Sequence, residues 1–316
     1  MRTNFIMRHG RTSVALAFCL AGCARDSQRP ASPTGPPVRG AVGRVSADRY
    51  LTPTGQMLSP AGRQIDLPGM RPQALALSPD GRLLVVSGGT ARLMVLDPTD
   101  GRTLQTVSLS PPRAKNASGG SVTSKGELSL TGLVFSPDSH RIYFSSASGD
   151  VWVFTLDGHT VAESLAIWSL PKADATHPEL PAGLAVSQDA QRVYVVGNLG
   201  NHLYELDAGS GKVLRSWQTG VAPYDVVLAG SKAYVSNLGG RIPDDGDLTA
   251  PAGKGTTVLV DPVRHISSEG SVTVVDLAAG LVKTEIMTGL HASALAVAPG
   301  AEYVVVANTG SDTLSV

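Results

Sequence analysis

Between residues 74 and 306 the chain writes one pattern five times, and a chain built of repeats folds as repeated units. The units are Ala74-Leu-Ala-Leu-Ser-Pro-Asp-Gly-Arg-Leu-Leu-Val-Val86, Gly132-Leu-Val-Phe-Ser-Pro-Asp-Ser-His-Arg-Ile-Tyr-Phe144, Gly183-Leu-Ala-Val-Ser-Gln-Asp-Ala-Gln-Arg-Val-Tyr-Val195, Asp225-Val-Val-Leu-Ala-Gly-Ser-Lys-Ala-Tyr-Val235 and Ala294-Leu-Ala-Val-Ala-Pro-Gly-Ala-Glu-Tyr-Val-Val-Val306. Each reads as an apolar strand, a turn and a second apolar strand. The turn chemistry is physical: Pro presets φ, Asp bonds its neighbouring backbone, and Gly supplies positive φ. In four units a third strand ends in Asp, at Asp97, Asp157, Asp207 and Asp276, and runs to Gly101, Gly158, Gly211 and Gly280. A more polar fourth strand follows each, over Thr103–Leu109, Val161–Leu170, Lys212–Gln218 and Leu281–Met287.

Four antiparallel strands in about 40 residues is the signature of a β-propeller blade. A β-sandwich of hairpins explains the alternation but not the recurring order of four. The expected fold is therefore all-β, a β-propeller of four-stranded antiparallel blades. With 35 Gly and 21 Pro, the chain has the turn density that many short strands need. Ahead of the first unit, Arg63-Gln-Ile-Asp-Leu67 matches a fourth strand and is expected to close the last blade. The fifth unit stops within its third strand at Val316, so the five visible blades are expected to belong to a seven-bladed ring, incomplete at its C-terminus.

The first residues read differently. Arg2, Arg8, His9 and Arg11 precede Val14-Ala-Leu-Ala-Phe-Cys-Leu20, an apolar run of signal-peptide length, too short to span a bilayer. Leu20-Ala-Gly-Cys23 follows and looks like a bacterial lipobox, in which the cysteine is lipidated and becomes the N-terminus. Residues 1–22 are thus expected to be a lipoprotein signal peptide. Residues 23–45, with Pro30, Pro33, Pro36 and Pro37, are expected to be a disordered tether, and 46–316 the propeller. The only cysteines are Cys19 and Cys23, so cleavage before Cys23 leaves no free thiol, disulfide or Cys-based metal site. The mature chain then has 23 basic and 26 acidic residues. Ala24 after the cysteine points to the outer membrane, facing the periplasm or the cell surface.

The Ser-Pro-Asp-Gly hairpins, the strand ends Tyr234-Val-Ser-Asn237 and Val304-Val-Val-Ala-Asn308, and the Val-Val-Asp strands resemble the YVTN-repeat, YncE-like β-propellers over about residues 60–316. The segment Gly239-Gly-Arg-Ile-Pro-Asp-Asp-Gly-Asp-Leu-Thr-Ala-Pro251, with Gly270-Ser-Val-Thr-Val-Val-Asp276 after it, is similar to an insertion in the propeller of bifunctional proteins. Those carry an alkaline-phosphatase-like phosphoesterase domain after the propeller. The resemblance implies such a neighbour, but no residue here corresponds to that domain, and no hydrolytic role is carried over.

Balanced charge, 26 Lys+Arg against 26 Asp+Glu, excludes a polybasic nucleic-acid binder. The seven histidines show no i, i+4 helical zinc spacing, and there is no G-x-S-x-G elbow or P-loop. Asp244-Asp-Gly-Asp247 has too few ligands in register for a calcium loop and reads as a polar turn. No catalytic residue, metal site or cofactor is expected. Trp152, Trp168 and Trp217 read as strand residues packing between blades.

Topology points further than motifs. In a propeller the loops from strand four to the next strand one share a face with the loops joining strands two and three. Insertions at about 110–127 and 239–270 belong to these two classes. The same face is expected to present Arg71, Tyr224 and His291 just before inner strands, and Asn198, Asn237, Arg241 and Asn308 from the loops joining strands two and three. The leading expectation is a membrane-anchored module that binds a protein or small-molecule ligand on this face. The enzymatic alternatives are the propeller part of a phosphoesterase-type hydrolase and a lactonase-type propeller, the latter by fold analogy alone.

Lipidation can be read directly: mass spectrometry of the mature N-terminus should find a diacyl- or triacyl-modified Cys23. Cys23→Ala should release the protein to the soluble fraction, since several acyl chains anchor where one does not. A free N-terminus elsewhere would refute the lipobox.

Overall fold

A computed structural model describes residues 42–46, 48–88, 90–109, 131–253 and 255–316. Cys23, the signal peptide, the tether up to residue 41 and the insertion at 110–127 lie outside the described residues. Within them the fold is all-β and propeller-like, and no helix occurs.

A small sheet comes first: β1 (Gly43–Ser46), β2 (Arg49–Leu51) and β3 (Met57–Leu58). β1 thus begins inside the segment expected to be tether, because Gly43–Ser46 pairs with Arg49–Leu51 as a hairpin. The first blade is β4 (Pro72–Leu77), β5 (Leu84–Gly88), β6 (Thr90–Leu96) and β7 (Thr103–Ser108). The second is β8 (Leu133–Phe135), β9 (Arg141–Ser145), β10 (Asp150–Asp157) and β11 (Thr160–Ser169). The third is β12 (Pro181–Val186), β13 (Arg192–Gly197), β14 (His202–Asp207) and β15 (Val213–Gln218). The fourth contains β16 (Pro223–Ala229) and β17 (Lys232–Asn237), then an inserted hairpin of β18 (Thr249–Pro251) and β19 (Thr257–Leu259). It resumes with β20 (Ser271–Asp276) and β21 (Leu281–Met287). The fifth has β22 (Ala292–Val297), β23 (Val304–Asn308) and β24 (Thr313–Ser315). Neighbouring strands pair antiparallel in chain order in every blade, with the hairpin looped out between β17 and β20.

The repeat encodes its turns. Ser78 Oγ donates to Asp80 at 2.6 Å and accepts from the Leu83 amide at 2.9 Å. Ser136 with Asp138 and Ser187 with Asp189 do the same in the next two blades. Asp97, Asp207 and Asp276 each accept from the amides that follow them, fixing the turn between strands three and four.

Packing is between blades. The second strands β5, β9 and β13 are buried almost throughout, because both faces are covered: those of β9 and β13 by neighbouring sheets, those of β5 by the second blade and by Leu67 and Met70. Ile142, Phe144, Trp152 and Phe154 pack with Val85 and Val95 across the first junction. Tyr143, Val151 and Trp168 pack with Val193 and Val195 across the second. Tyr194, Leu203 and Trp217 pack with Val235 and Val275 across the third. Inner strands β4, β8, β12, β16 and β22 lie against one another in succession. Trp152, Trp168 and Trp217 are all buried, as expected of inter-blade residues.

One contact recurs at the rim. Gly211, at φ 72° in the turn between β14 and β15, lies so close beneath the Trp168 ring of the preceding blade that a Cβ there would overlap it. Trp217 meets the equivalent turn of the fourth blade, donating Nε1–H to the Gly280 carbonyl at 2.9 Å. In the first blade Ile65 sits on Gly101 in the same way. This corrects the expectation for Arg63–Leu67. The segment forms no strand; its likeness to a fourth strand is a likeness of packing position, with Ile65 standing on the first blade's turn as Trp168 stands on the third blade's.

Gly211→Ala should therefore cost more than Gly158→Ala. Both residues have positive φ, but Gly158 faces open space. The strain of a left-handed alanine is about 1–2 kcal/mol at either site, and overlap with Trp168 adds to it at Gly211. Urea unfolding of the two variants should separate them; equal losses would mean that the rim contact is loose.

Candidate ligand-binding face

Loops of the two expected classes do meet on one face. Between the second and third blades, Glu179 is 1% exposed although it carries a carboxylate. Its Oε1 accepts from the amides of Leu180, Leu199 and Gly200 at 2.9–3.0 Å, and its Oε2 from the Tyr204 hydroxyl at 3.0 Å. A buried carboxylate needs this many donors. Burial first, and then the Glu179 charge, push the Tyr204 phenol far up. The ring of His202 stacks on Tyr204 at 5.7 Å. One side chain thus ties the loop at 171–180 to the loop at 198–201. On its outer side the first of these holds Asp174 and His177, joined at 2.8 Å. The His177 imidazole is the main cause of an Asp174 carboxyl held well below its usual range.

The fourth blade's insertion joins the same face. Arg241 Nη1 meets Asp247 at 2.8 Å and Asp244 at 3.0 Å, and its Nε lies 3.6 Å from Glu269. Asp247 also accepts from the Asp244 amide at 2.8 Å. The Asp244–Asp247 acids are thus turned onto an arginine, consistent with a polar turn. Val258 and Val260 pack on Val221, seating the hairpin on the connection between the third and fourth blades.

The seven candidate residues divide. Asn237 and Asn308 point inward, at 0% and 2% exposure. The Asn237 amide donates to Ser271 and Thr273, and that of Asn308 to Thr313 and Ser315, so both join the second strand to the third. This corrects their placement on a solvent-facing surface: an amide at the end of β17 or β23 is taken up by hydroxyls across the sheet. Asn198 donates to the Pro223 carbonyl at 2.8 Å and ties the third blade to the fourth. Arg241 is held inside the insertion. Arg71 is exposed just before β4, and His291 is exposed at the matching place before β22, with φ 53°. Tyr224 is half-buried on β16, its phenol pushed up by burial, and its carbonyl accepts from Thr131 of the second blade.

Sequence reasoning missed Asp225. Its neighbours in the repeat are Ala74, Gly132, Gly183 and Ala294, so an acid in that apolar register was itself a signal. The carboxylate accepts from the Leu295 amide of the fifth blade and from Val226, both at 2.9 Å. Burial nevertheless pushes its pKa up to about 6. Glu179 left no comparable signal, since it precedes a strand in an ordinary polar loop. Among the described residues no group of three or more His, Cys, Asp or Glu side chains is placed to hold a metal ion. What the face offers chemically is a rigid, hydrogen-bonding surface.

No protein-family model and no curated protein sequence matches the chain. Its fold matches 1625 solved chains, a breadth that speaks for architecture rather than activity. One is the hydrazine synthase of Kuenenia stuttgartiensis, with a TM-score of 0.52 and 19% identity over 78% of this chain. The chain spans 58% of the length of that protein, and the likeness is one of fold.

The Asp225 carboxyl should make stability depend on pH. Its value in the fold lies above the ordinary 3.8, so the folded state binds the proton more tightly. Stability from this group is complete below about pH 4 and declines as pH rises through 6, by at most about 3 kcal/mol. Denaturant titrations between pH 4 and 7 should show this decline in the wild type and its absence in Asp225→Asn. A parallel decline in both would exclude Asp225 as the source.

Proposed function

We propose that this protein is a lipid-anchored, extracytoplasmic β-propeller of the YVTN-repeat, YncE-like kind, which binds a protein or small-molecule ligand on its loop face. The observation that carries the reading is the pinning of that face. Glu179, Asn198 and Arg241 spend their polar groups on fixing loops, which leaves Arg71, Tyr224 and His291 on a surface already organised. Ordered loops bind without the entropic cost of being ordered by the ligand. The propeller-like fold supports a binding or scaffold role. The Leu20-Ala-Gly-Cys23 motif and the Pro-rich stretch after it support an anchor and a spacer that carry the domain away from a membrane. The outer membrane is the favoured site.

Cysteine scanning tests this, because Cys19 and Cys23 are the only native cysteines. Single cysteines at His291 and Asp245 on the loop face, and at Asp100 and Gln191 on the opposite face, would be labelled with a photo-crosslinker in intact cell envelopes. Adducts of one defined species should form from the first pair and not from the second. Equal labelling from both faces, or none from the loop face, would refute the assignment.

A further inference from the structure

The second and third blades share an arginine–tyrosine pair but not its partner. Arg141-Ile-Tyr143 and Arg192-Val-Tyr194 stand at the same place in the repeat, on β9 and β13. Side chains two apart on a strand share a face, and each tyrosine packs in the cluster shared with the following blade. In the third blade the residue opposite Tyr194 is Glu205. Its carboxylate is buried, held by Arg192 Nε at 3.2 Å and by Arg215 Nε. In the second blade the residue opposite Tyr143 is Val153. Among the described residues the pair there faces no carboxylate from the sheet.

It faces a cavity instead, of about 250 Å³, bordered by His140, Arg141, Tyr143, Gln191 and Ala208. Tyr143 is 0% exposed, and no acceptor for its hydroxyl proton stands among the described residues. Arg141 is its charged neighbour, and a guanidinium carries donors only, so the hydroxyl proton lacks an acceptor. Arg141 is anchored through Nη1 on the Ala208 carbonyl, as Arg215 is anchored on Leu277 one junction later. Asp138 also borders the cavity, but its carboxylate already accepts from Ser136 Oγ and the His140 amide. The matching Asp189, bonded in the same way, coexists with the Glu205 carboxylate in the third blade.

The geometry points to a binding site for a small free carboxylate in the cavity between the second and third blades, with Arg141 and Tyr143 holding it as Arg192 holds Glu205 beside Tyr194. The site lies among the hairpin turns, on the face opposite the insertion, and is independent of the ligand assigned to the loop face. Its volume is below the range of about 300–1,000 Å³ usual for drug-sized ligands, which suits a short-chain acid.

Acetate is the probe. The full chain would be titrated with sodium acetate against sodium chloride at constant ionic strength. The readouts are the unfolding midpoint and the fluorescence of Trp168, whose ring lies 5.7 Å from that of Tyr143. A saturable response to acetate is expected. It should weaken by about tenfold or more in Tyr143→Phe, which keeps the ring and removes the donor. It should vanish in Arg141→Met and persist in Tyr194→Phe. Val153→Glu supplies an internal carboxylate opposite Tyr143 and should also abolish it. If that variant does not fold, Tyr143→Phe decides the matter. No saturable response in the wild type, or one that Tyr143→Phe leaves unchanged, would overturn the site and leave the hydroxyl to a water molecule.

Discussion

No blade of this protein can cover its own two faces. A four-stranded sheet has apolar side chains above and below, and a single sheet exposes both. The remedy is the neighbour. β9 and β13 are buried because a sheet stands on either side, and the rim contacts of Ile65, Trp168 and Trp217 fix how closely the units stack. Stability in such a stack is a sum over junctions, as in other repeat architectures. The first junction carries Trp152, Phe154, Ile142 and Phe144, each worth about 1.5–3 kcal/mol when fully buried. The segment before the first blade, through Leu67 and Met70, gives that blade a cover that is not itself a blade.

Much of this was legible. Strand order, five hairpin turns and four Asp-to-Gly connections are local chemistry repeated along the chain, and repetition turns weak signals into a strong one. The fourth strand expected over Leu281–Met287 is β21 to the residue. The shared face of the two loop classes follows from antiparallel order alone. What was not legible depends on contacts between units. Arg63–Leu67 resembles a fourth strand in sequence because Ile65 does the packing of one, yet no strand lies beside it to pair with. Asn237 and Asn308 look like surface amides until the hydroxyls across the sheet are known. Asp225 could have been found by asking which repeat position breaks its own rule.

The two faces of the stack are built on different terms. On the loop face polar groups are spent on one another: Glu179 on three amides and a phenol, Arg241 on three carboxylates, Asn198 on a carbonyl. Order there comes from these side chains together with backbone bonds such as those of the β18–β19 hairpin. On the hairpin face the turns are self-sufficient, each Ser and Asp closing its own loop. Side chains between the turns are then available for other partners, and the junctions there can differ without disturbing the sheets. Glu205 and Val153 show how far they differ at one register position.

The Glu179 tie is also local along the chain. Its four donors lie between one and 25 residues away along the chain, all within or just before the third blade. A short loop closes cheaply. The upper edge of the third blade is therefore closed by that blade's own residues and the loop just before it, with no donor borrowed from the second or fourth blade.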